Sequence, residues 1–272
     1  MKDILIHVRQ LHGKTPAAYF GVKLAAGFGA SATGVYVYPA PMYFASAYEP
    51  ELLAAIMQNA RQLERDALQA RQPFLDFAES LGVPNTQWIV AEGDADHALA
   101  QAATRHDLLV LDHPQPDETS AWEIADLILK VGTPCLVAPR RSLHLPPIER
   151  VTVGWNGSPE AMRALHAALP IMQGKAVLLL SGEVREMHQG VTWKTPFDVC
   201  NYLQRHGITV EQHAITAAPE DAGEAILEEA KRFRSDLLVM GAYGRNRFNE
   251  WLLGGATRHV LQRANLPLLL QH

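Results

Sequence analysis

The strongest constraint on this fold is that the chain reads twice. Ile4-Leu5-Ile6-His7-Val8 opens the first half, and Val151-Thr152-Val153-Gly154-Trp155 opens the second. Further along, Asp107-Leu108-Leu109-Val110-Leu111 recurs as Asp236-Leu237-Leu238-Val239-Met240. Each half closes on a short apolar run, Thr133-Pro134-Cys135-Leu136-Val137-Ala138 in one and Leu266-Pro267-Leu268-Leu269-Leu270 in the other. Landmarks recurring in order mark a duplicated unit, and a repeat decides the architecture before any single element does.

Between the apolar runs lie helical stretches. Thr15–Gly27 is Ala-rich, and Glu51–Leu81 carries an apolar stripe through Leu52, Ile56, Leu63, Leu68, Phe74 and Phe77. Pro73 is expected to kink or break that second stretch. Asp96–Arg105, Trp122–Val131, Phe197–His206, Glu220–Arg234 and Trp251–Ala264 continue the series. Ser158-Pro159-Glu160 is a helix start, with Ser as the cap and Pro at the first helical position. Continuously apolar strands alternating with helices describe a parallel sheet covered on both faces. The fold class expected is α/β: two tandem doubly wound domains, each an open, mostly parallel sheet of about five strands. The boundaries expected are 1–141 for the first domain, 142–149 for a linker containing Pro146-Pro147, and 150–272 for the second. The landmarks match at offsets of 147, 129 and 133, so the first half holds 18 extra residues in its middle and has lost four near its end.

Composition narrows the function classes. With 48% hydrophobic residues the 272-residue chain is not disordered. A net charge of −5 gives no general drive toward nucleic acid or an anionic membrane. No apolar run reaches the ~18 residues of a membrane helix, and a signal-peptide pattern is missing. Two cysteines cannot build a disulfide framework. The expectation is a cytoplasmic protein. The charge is uneven: residues 1–146 hold 11 basic and 16 acidic side chains, residues 147–272 hold 13 of each.

The most informative segment follows the strand ending at Met240. Gly241-Ala242-Tyr243-Gly244 comes first, then nine residues, then Gly254-Gly255-Ala256-Thr257-Arg258. Ligands of parallel sheets sit at the carboxyl ends of strands. Glycines there let backbone amides approach phosphate oxygens, and a helix start adds free amides and a favourable dipole. Arg245, Arg247 and Arg258 add positive charge. The segment is neither a Walker loop nor the dinucleotide fingerprint.

Gly241-x2-Gly244-x9-Gly254, after that strand and before a helix, resembles the nucleotide motif of the universal stress protein family. The opening Val151–Ser158 segment and Glu92-Gly93-Asp94-Ala95 are similar to the family's first strand-and-loop and its Gly-Asp-Pro-like motif. The resemblance spans nearly the whole chain as a tandem, UspA-like pair. It implies a Rossmann-like, adenine nucleotide alpha hydrolase-like fold and a regulatory stress-response protein that binds ATP through its second domain. A magnesium ion would accompany the nucleotide. Site residues implied are Asn156 on the ribose, Met240 at the strand end, and Gly241, Gly244, Arg245, Gly254, Gly255 and Thr257 around the phosphates. Two positions depart from the family pattern. Gly255 stands where a Ser or Thr usually follows the third glycine, and Asn156 where an Asp usually sits. In the first half the matching segment is Asp112-His113-Pro114-Gln115-Pro116-Asp117-Glu118, with three carboxylates and two prolines lacking amide donors. That half is expected not to bind nucleotide. The family's pairing of last strands across a two-fold implies an internal pseudo-dimer, and whole chains can dimerise as well. The alternatives are a nucleotide-free interaction scaffold and a weak ATPase.

Other constellations read as structure. The 12 histidines show no metal-ligand spacing, and His7 lies in the first strand. Asp112, His113 and Asp117 read as a solvated loop, Cys135 and Cys200 as core residues, and Asp94 with Asp96 as helix caps. Trp155 and Tyr243, at strand ends, are equally suited to an adenine ring or to packing at the rim.

Overall fold

The structure is a computed structural model. It describes residues 1–11, 15–41, 50–113, 118–140, 147–182, 197–218, 220–242 and 255–272, without the side chains of 50 and 118–121. The described residues fall into two compact units. One is Met1–Asp112 with Lys130–Thr133; the other takes His113–Leu129, Pro134–Arg140 and the described residues from 147 to 272.

In the first unit, strands β1 (Asp3–His7), β2 (Ser31–Tyr38), β3 (Thr86–Glu92) and β4 (Leu108–Leu111) form a parallel sheet in the order β3-β2-β1-β4. Ile4, Leu5, Ile6 and all four β4 residues are fully buried, as continuous apolar runs demand when both faces are covered. Thr15 accepts a hydrogen bond from the Ala18 amide at 3.2 Å to cap α1 (Pro16–Phe28), and Gly29 closes that helix at φ 57°. The long helical stretch divides into α2 (Pro50–Gln69) and α3 (Arg71–Ser80). The break falls at Ala70, and Pro73 sits in the first turn of α3, where its missing amide donor costs nothing. These two helices absorb the extra residues of the first half. A packed cluster around Tyr36, Tyr38, Ala60 and Ala67 includes Trp88, whose indole Nε1 donates to the Ala67 carbonyl at 2.9 Å. Helix α4 (Ala95–Ala103) is capped by Asp94, which accepts from the His97 amide at 3.0 Å. Asp96 pairs with Lys130 at 3.1 Å.

The second unit has the strand order β5-β10-β9-β6-β7-β8. Its strands are β5 (Cys135–Val137), β6 (Arg150–Trp155), β7 (Ala176–Ser181), β8 (Val210–Ala214), β9 (Leu237–Gly241) and β10 (Leu268–Gln271). All ladders are parallel except β5 with β10, which is antiparallel with Leu269 opposite Leu136. Its helices are α5 (Glu118–Lys130), α6 (Pro159–Met172), α7 (Val199–Arg205), α8 (Ala222–Arg232) and α9 (Gly255–Arg263). The last helix and strand of the first repeat thus group with the second. Of the expected linker, 142–146 lie outside the described residues.

The repeated aspartates have a shared structural role. Asp107 accepts from the Lys2 amide at 2.5 Å, and Asp236 accepts from the Glu149 and Arg150 amides at 2.9 Å each. Each ties the start of a repeat's first strand to the start of its fourth, at the sheet edge opposite the carboxyl ends. No described helix is long and apolar enough to cross a membrane.

Candidate functional site

At the carboxyl edge of the second unit, β6 runs into Asn156-Gly157-Ser158 and then α6. Asn156 is exposed, and its Oδ1 accepts from the Ser158 amide at 3.1 Å. Gly157 adopts φ 73°, which lets the chain turn within two residues. The Ser158 hydroxyl accepts from the Ala161 amide at 3.1 Å, with Pro159 at the first helical position. The turn spends the Asn156 carbonyl on itself and leaves the carboxamide NH2 as the donor a ligand could use.

One strand over, β9 ends at Met240-Gly241. Met240 is buried. Gly241 lies directly under the first turn of α6: a Cβ there would stand 2.6 Å from the Glu160 carbonyl carbon and closer still to the Ala161 amide nitrogen. This glycine is required by packing. The next amide, of Ala242, donates to the Gln271 carbonyl at 2.8 Å, and the His272 ring Nδ1 lies 3.1 Å from the Ala242 carbonyl. The start of the glycine segment is therefore pinned to β10.

Gly244, Arg245 and Gly254 lie outside the described residues, as do Tyr243 and Arg247. Description resumes at Gly255, the exposed first residue of α9, where a Cβ would meet nothing within 4 Å. Thr257 is 4% exposed, so its side chain belongs to the packed face of α9. The structure thus brings Asn156, Met240 and Gly241 together on adjacent strand ends, and among the described residues nothing crowds Gly255.

Three features escaped the sequence. Arg258 stands with its guanidinium 5.7 Å from the Trp122 ring centroid, a cation–π contact from α5. Arg140, just past β5, donates to the Gln262 carbonyl at 2.6 Å. Two residues of the first repeat thereby hold α9 in place. Glu160 is 6% exposed: one carboxylate oxygen accepts from Arg163 at 3.1 Å, while the other is buried with no hydrogen-bond partner among the described residues. Arg163 also donates from Nε to the His272 carbonyl at 2.9 Å. Nothing in the periodicity distinguishes Glu160 from an exposed first-turn acid.

Trp155 is 9% exposed and packs against Phe197, with ring centroids 6.1 Å apart. Its indole is largely covered by protein, and Phe197 is the ring that remains in water.

The first unit differs at the equivalent place. Asp112 occupies the position that Gly241 holds in the repeat. Its carboxylate accepts from the Ala17 amide at 2.8 Å and from the Thr15 hydroxyl, and burial raises its pKa despite these bonds and nearby Arg9. The chain's own carboxylate therefore sits at the start of α1. His113 is buried, and Asp117 lies outside the described residues, so Asp112-His113 is not the solvated loop expected. Among the described residues no group of three His, Cys, Asp or Glu side chains could hold a metal. Partly buried His7 has its pKa pulled down to about 4 by burial and by Arg9. Cys135 is fully buried, with its thiol pushed up to about 12; Cys200 is only half-buried, and its thiol donates to Gln212 at 3.3 Å.

The model of the universal stress protein family matches residues 183–272. Over that segment, a third of its length, the chain is similar to universal stress proteins. A universal stress protein of Synechocystis sp. is 26% identical over 149 residues, which make 53% of this chain and 48% of that protein. The match thus spans about half the length of that relative. A universal stress protein of Mycobacterium tuberculosis is 29% identical over 141 residues, 45% of this chain and 94% of its own. The solved structure of a universal stress protein from Archaeoglobus fulgidus has a TM-score of 0.67 at 14% identity, covering 99% of this chain and 95% of that one. A functionally unknown protein from Pseudomonas aeruginosa follows at 0.60 and 12%, covering 100% and 92%. At such identities the likeness is one of fold. The α/β architecture with mostly parallel strands is that of universal stress proteins.

Proposed function

We propose that the chain is a regulatory stress-response protein that binds ATP at the carboxyl edge of its second universal stress domain. The observation that carries this reading is that Gly241 closes a buried parallel strand and Gly255 is the exposed first residue of a helix. The glycine motif thus begins at a buried strand end, and a Cβ on Gly255 would meet nothing within 4 Å among the described residues. Helix starts offer free amides and a positive dipole end to phosphate. In this reading Gly241, Gly244, Gly254 and Gly255 line the phosphates, Arg245 adds charge, and Asn156 donates to the ribose. Met240 forms the floor, and Thr257 supports α9 from its packed side. Magnesium would be held chiefly by the phosphates, since no protein cage of carboxylates is formed among the described residues. It would neutralise phosphate charge there. The first unit, whose Asp112 already fills the start of α1, takes no nucleotide and acts as partner and support. The reading is of a binding protein of the cytoplasm.

A nucleotide-free scaffold is the second reading. It is favoured by Gly255, which lacks the family's hydroxyl, and by the burial of Thr257. Thermal melts with millimolar ATP and magnesium separate the two. Ligand at 100 times its Kd adds about 2.7 kcal/mol. A rise in Tm supports nucleotide binding, and an unmoved Tm supports the scaffold. Gly255→Ser tests the site itself. The open space accepts the side chain, so the restored hydroxyl should tighten ATP binding with no loss of stability.

A further inference from the structure

Phe197 is large, apolar and 43% exposed. A lone exposed phenylalanine needs no explanation, but this one is placed and buttressed. Beneath it lies Trp155, 9% exposed, with ring centroids 6.1 Å apart and planes at 40°. Beside it stands Tyr202 at 5.7 Å, itself against His206 at 4.7 Å and His166 at 5.6 Å. The ring is thus the solvent end of an aromatic array anchored in α6 and α7, held with little rotamer freedom to lose. Trp155 is the last residue of β6, one step beyond the Gly154–Met240 pair. Trp155, the base of the array, and Gly241 therefore stand on adjacent strand ends, their backbones roughly 5 Å apart across the sheet. The Trp155 carbonyl accepts from the Gly182 amide at 2.9 Å, which fixes the neighbouring end of β7. Exposed Asn156 follows Trp155 directly.

We propose that Phe197 is the platform on which the base of the bound nucleotide stacks, with buried Trp155 as its support. The inference rests on the nucleotide-binding reading above and adds the residue that distinguishes a nucleoside from a bare polyphosphate. Stacking on an aromatic face needs no hydrogen-bond readout, so this contact selects a planar base without choosing among purines. Discrimination by base edge would have to come from elsewhere.

The test measures binding of ATP and of inorganic tripolyphosphate, each with magnesium, by titration calorimetry on the full chain. Wild type is expected to bind ATP more tightly than tripolyphosphate. Phe197→Ala should weaken ATP binding roughly tenfold and leave tripolyphosphate unchanged. Phe197→Tyr should keep wild-type affinity, and Phe197→Leu, which preserves apolar volume and folding, should fall between. The proposal is overturned if Phe197→Ala binds ATP like wild type, or if ATP and tripolyphosphate weaken together. Equal wild-type affinities for the two ligands would remove the base contact alone and leave the phosphate site standing. Binding of neither would remove the nucleotide reading and this one with it.

Discussion

Two glycines of one motif should respond oppositely to the same methyl group. At Gly241 a Cβ would lie 2.6 Å from the Glu160 carbonyl carbon, roughly 0.8 Å inside ordinary contact, with the Ala161 amide nitrogen nearer still. Both neighbours are backbone, so no rotamer change relieves the clash. Relief requires moving α6, and α6 resists: Ala164, Leu165 and Ala168 are fully buried, Ser158 caps the helix, and Arg163 ties it to the end of β10. Overpacking of this kind costs about 1–3 kcal/mol. For a domain of this size that lowers Tm by roughly 2–12 °C. At Gly255 the same methyl enters empty space at an exposed helix start, and Gly→Ala there should stay within about 0.5 kcal/mol of wild type. Scanning calorimetry of the two variants beside wild type reads the difference. If Gly241→Ala melts with wild type, or if Gly255→Ala is the more damaging change, then Gly241 is not held by α6 and the packing account of the motif is wrong.

Other consequences follow from single contacts. Asp236→Ala removes an acceptor used by two strand-start amides and should cost about 1–2 kcal/mol, read by urea denaturation; an unchanged midpoint refutes the tie. His7 has a folded pKa of about 4 against 6.5 unfolded, so the unfolded chain takes up a proton that the folded chain refuses. Stability should fall as pH drops from 6.5 to 4 and level off below; His7→Asn should flatten that fall, and parallel curves would refute the assignment. With its thiol buried and pushed up to about 12, Cys135 should react with maleimide only in denaturant, while half-buried Cys200 reacts in the native state. Native labelling of Cys135 would contradict its burial.

Much of the fold was legible because its signals are local. Buried parallel strands must be apolar along their length, so β1, β4, β6, β9 and β10 could be read directly from runs such as Leu108–Leu111. Ser158-Pro159 announced α6, and Asp94 announced α4, because caps are chemistry within one turn. The site was legible only as a motif. What Gly241 does was hidden, because a glycine suits a phosphate and a close helix alike, and only the position of Ala161 reveals the helix. Arg258 looked like a phosphate ligand until Trp122, more than a hundred residues away in sequence, was seen to face it. Glu160, Phe197 and Asp112 were missed for the same reason. Burial, exposure and a distant amide partner are tertiary facts with no periodic trace. Asp107 and Asp236 were noticed as landmarks, but their tie to the strand starts needed coordinates.

The least repeat-like feature of the chain is where its first repeat ends. Strand β5 pairs antiparallel with β10, and Leu268, Leu269 and Leu270 on that strand are all fully buried. Trp122 on α5 and Arg140 after β5 hold α9, the helix whose start borders the proposed site. A fragment of residues 150–272 contains the whole glycine motif yet lacks all of these supports. It would present β10 as an unpaired apolar edge, the kind of surface that recruits another strand. A fragment of residues 113–272 keeps them. Sedimentation should find the shorter fragment dimeric or aggregated, and any ATP affinity should be weaker than in the longer one, because α9 loses its lateral contacts. If the shorter fragment is monomeric, as stable as the longer one and equal to it in ATP binding, then α5 and β5 are spectators, and the second half is a self-sufficient domain to which the first is only appended.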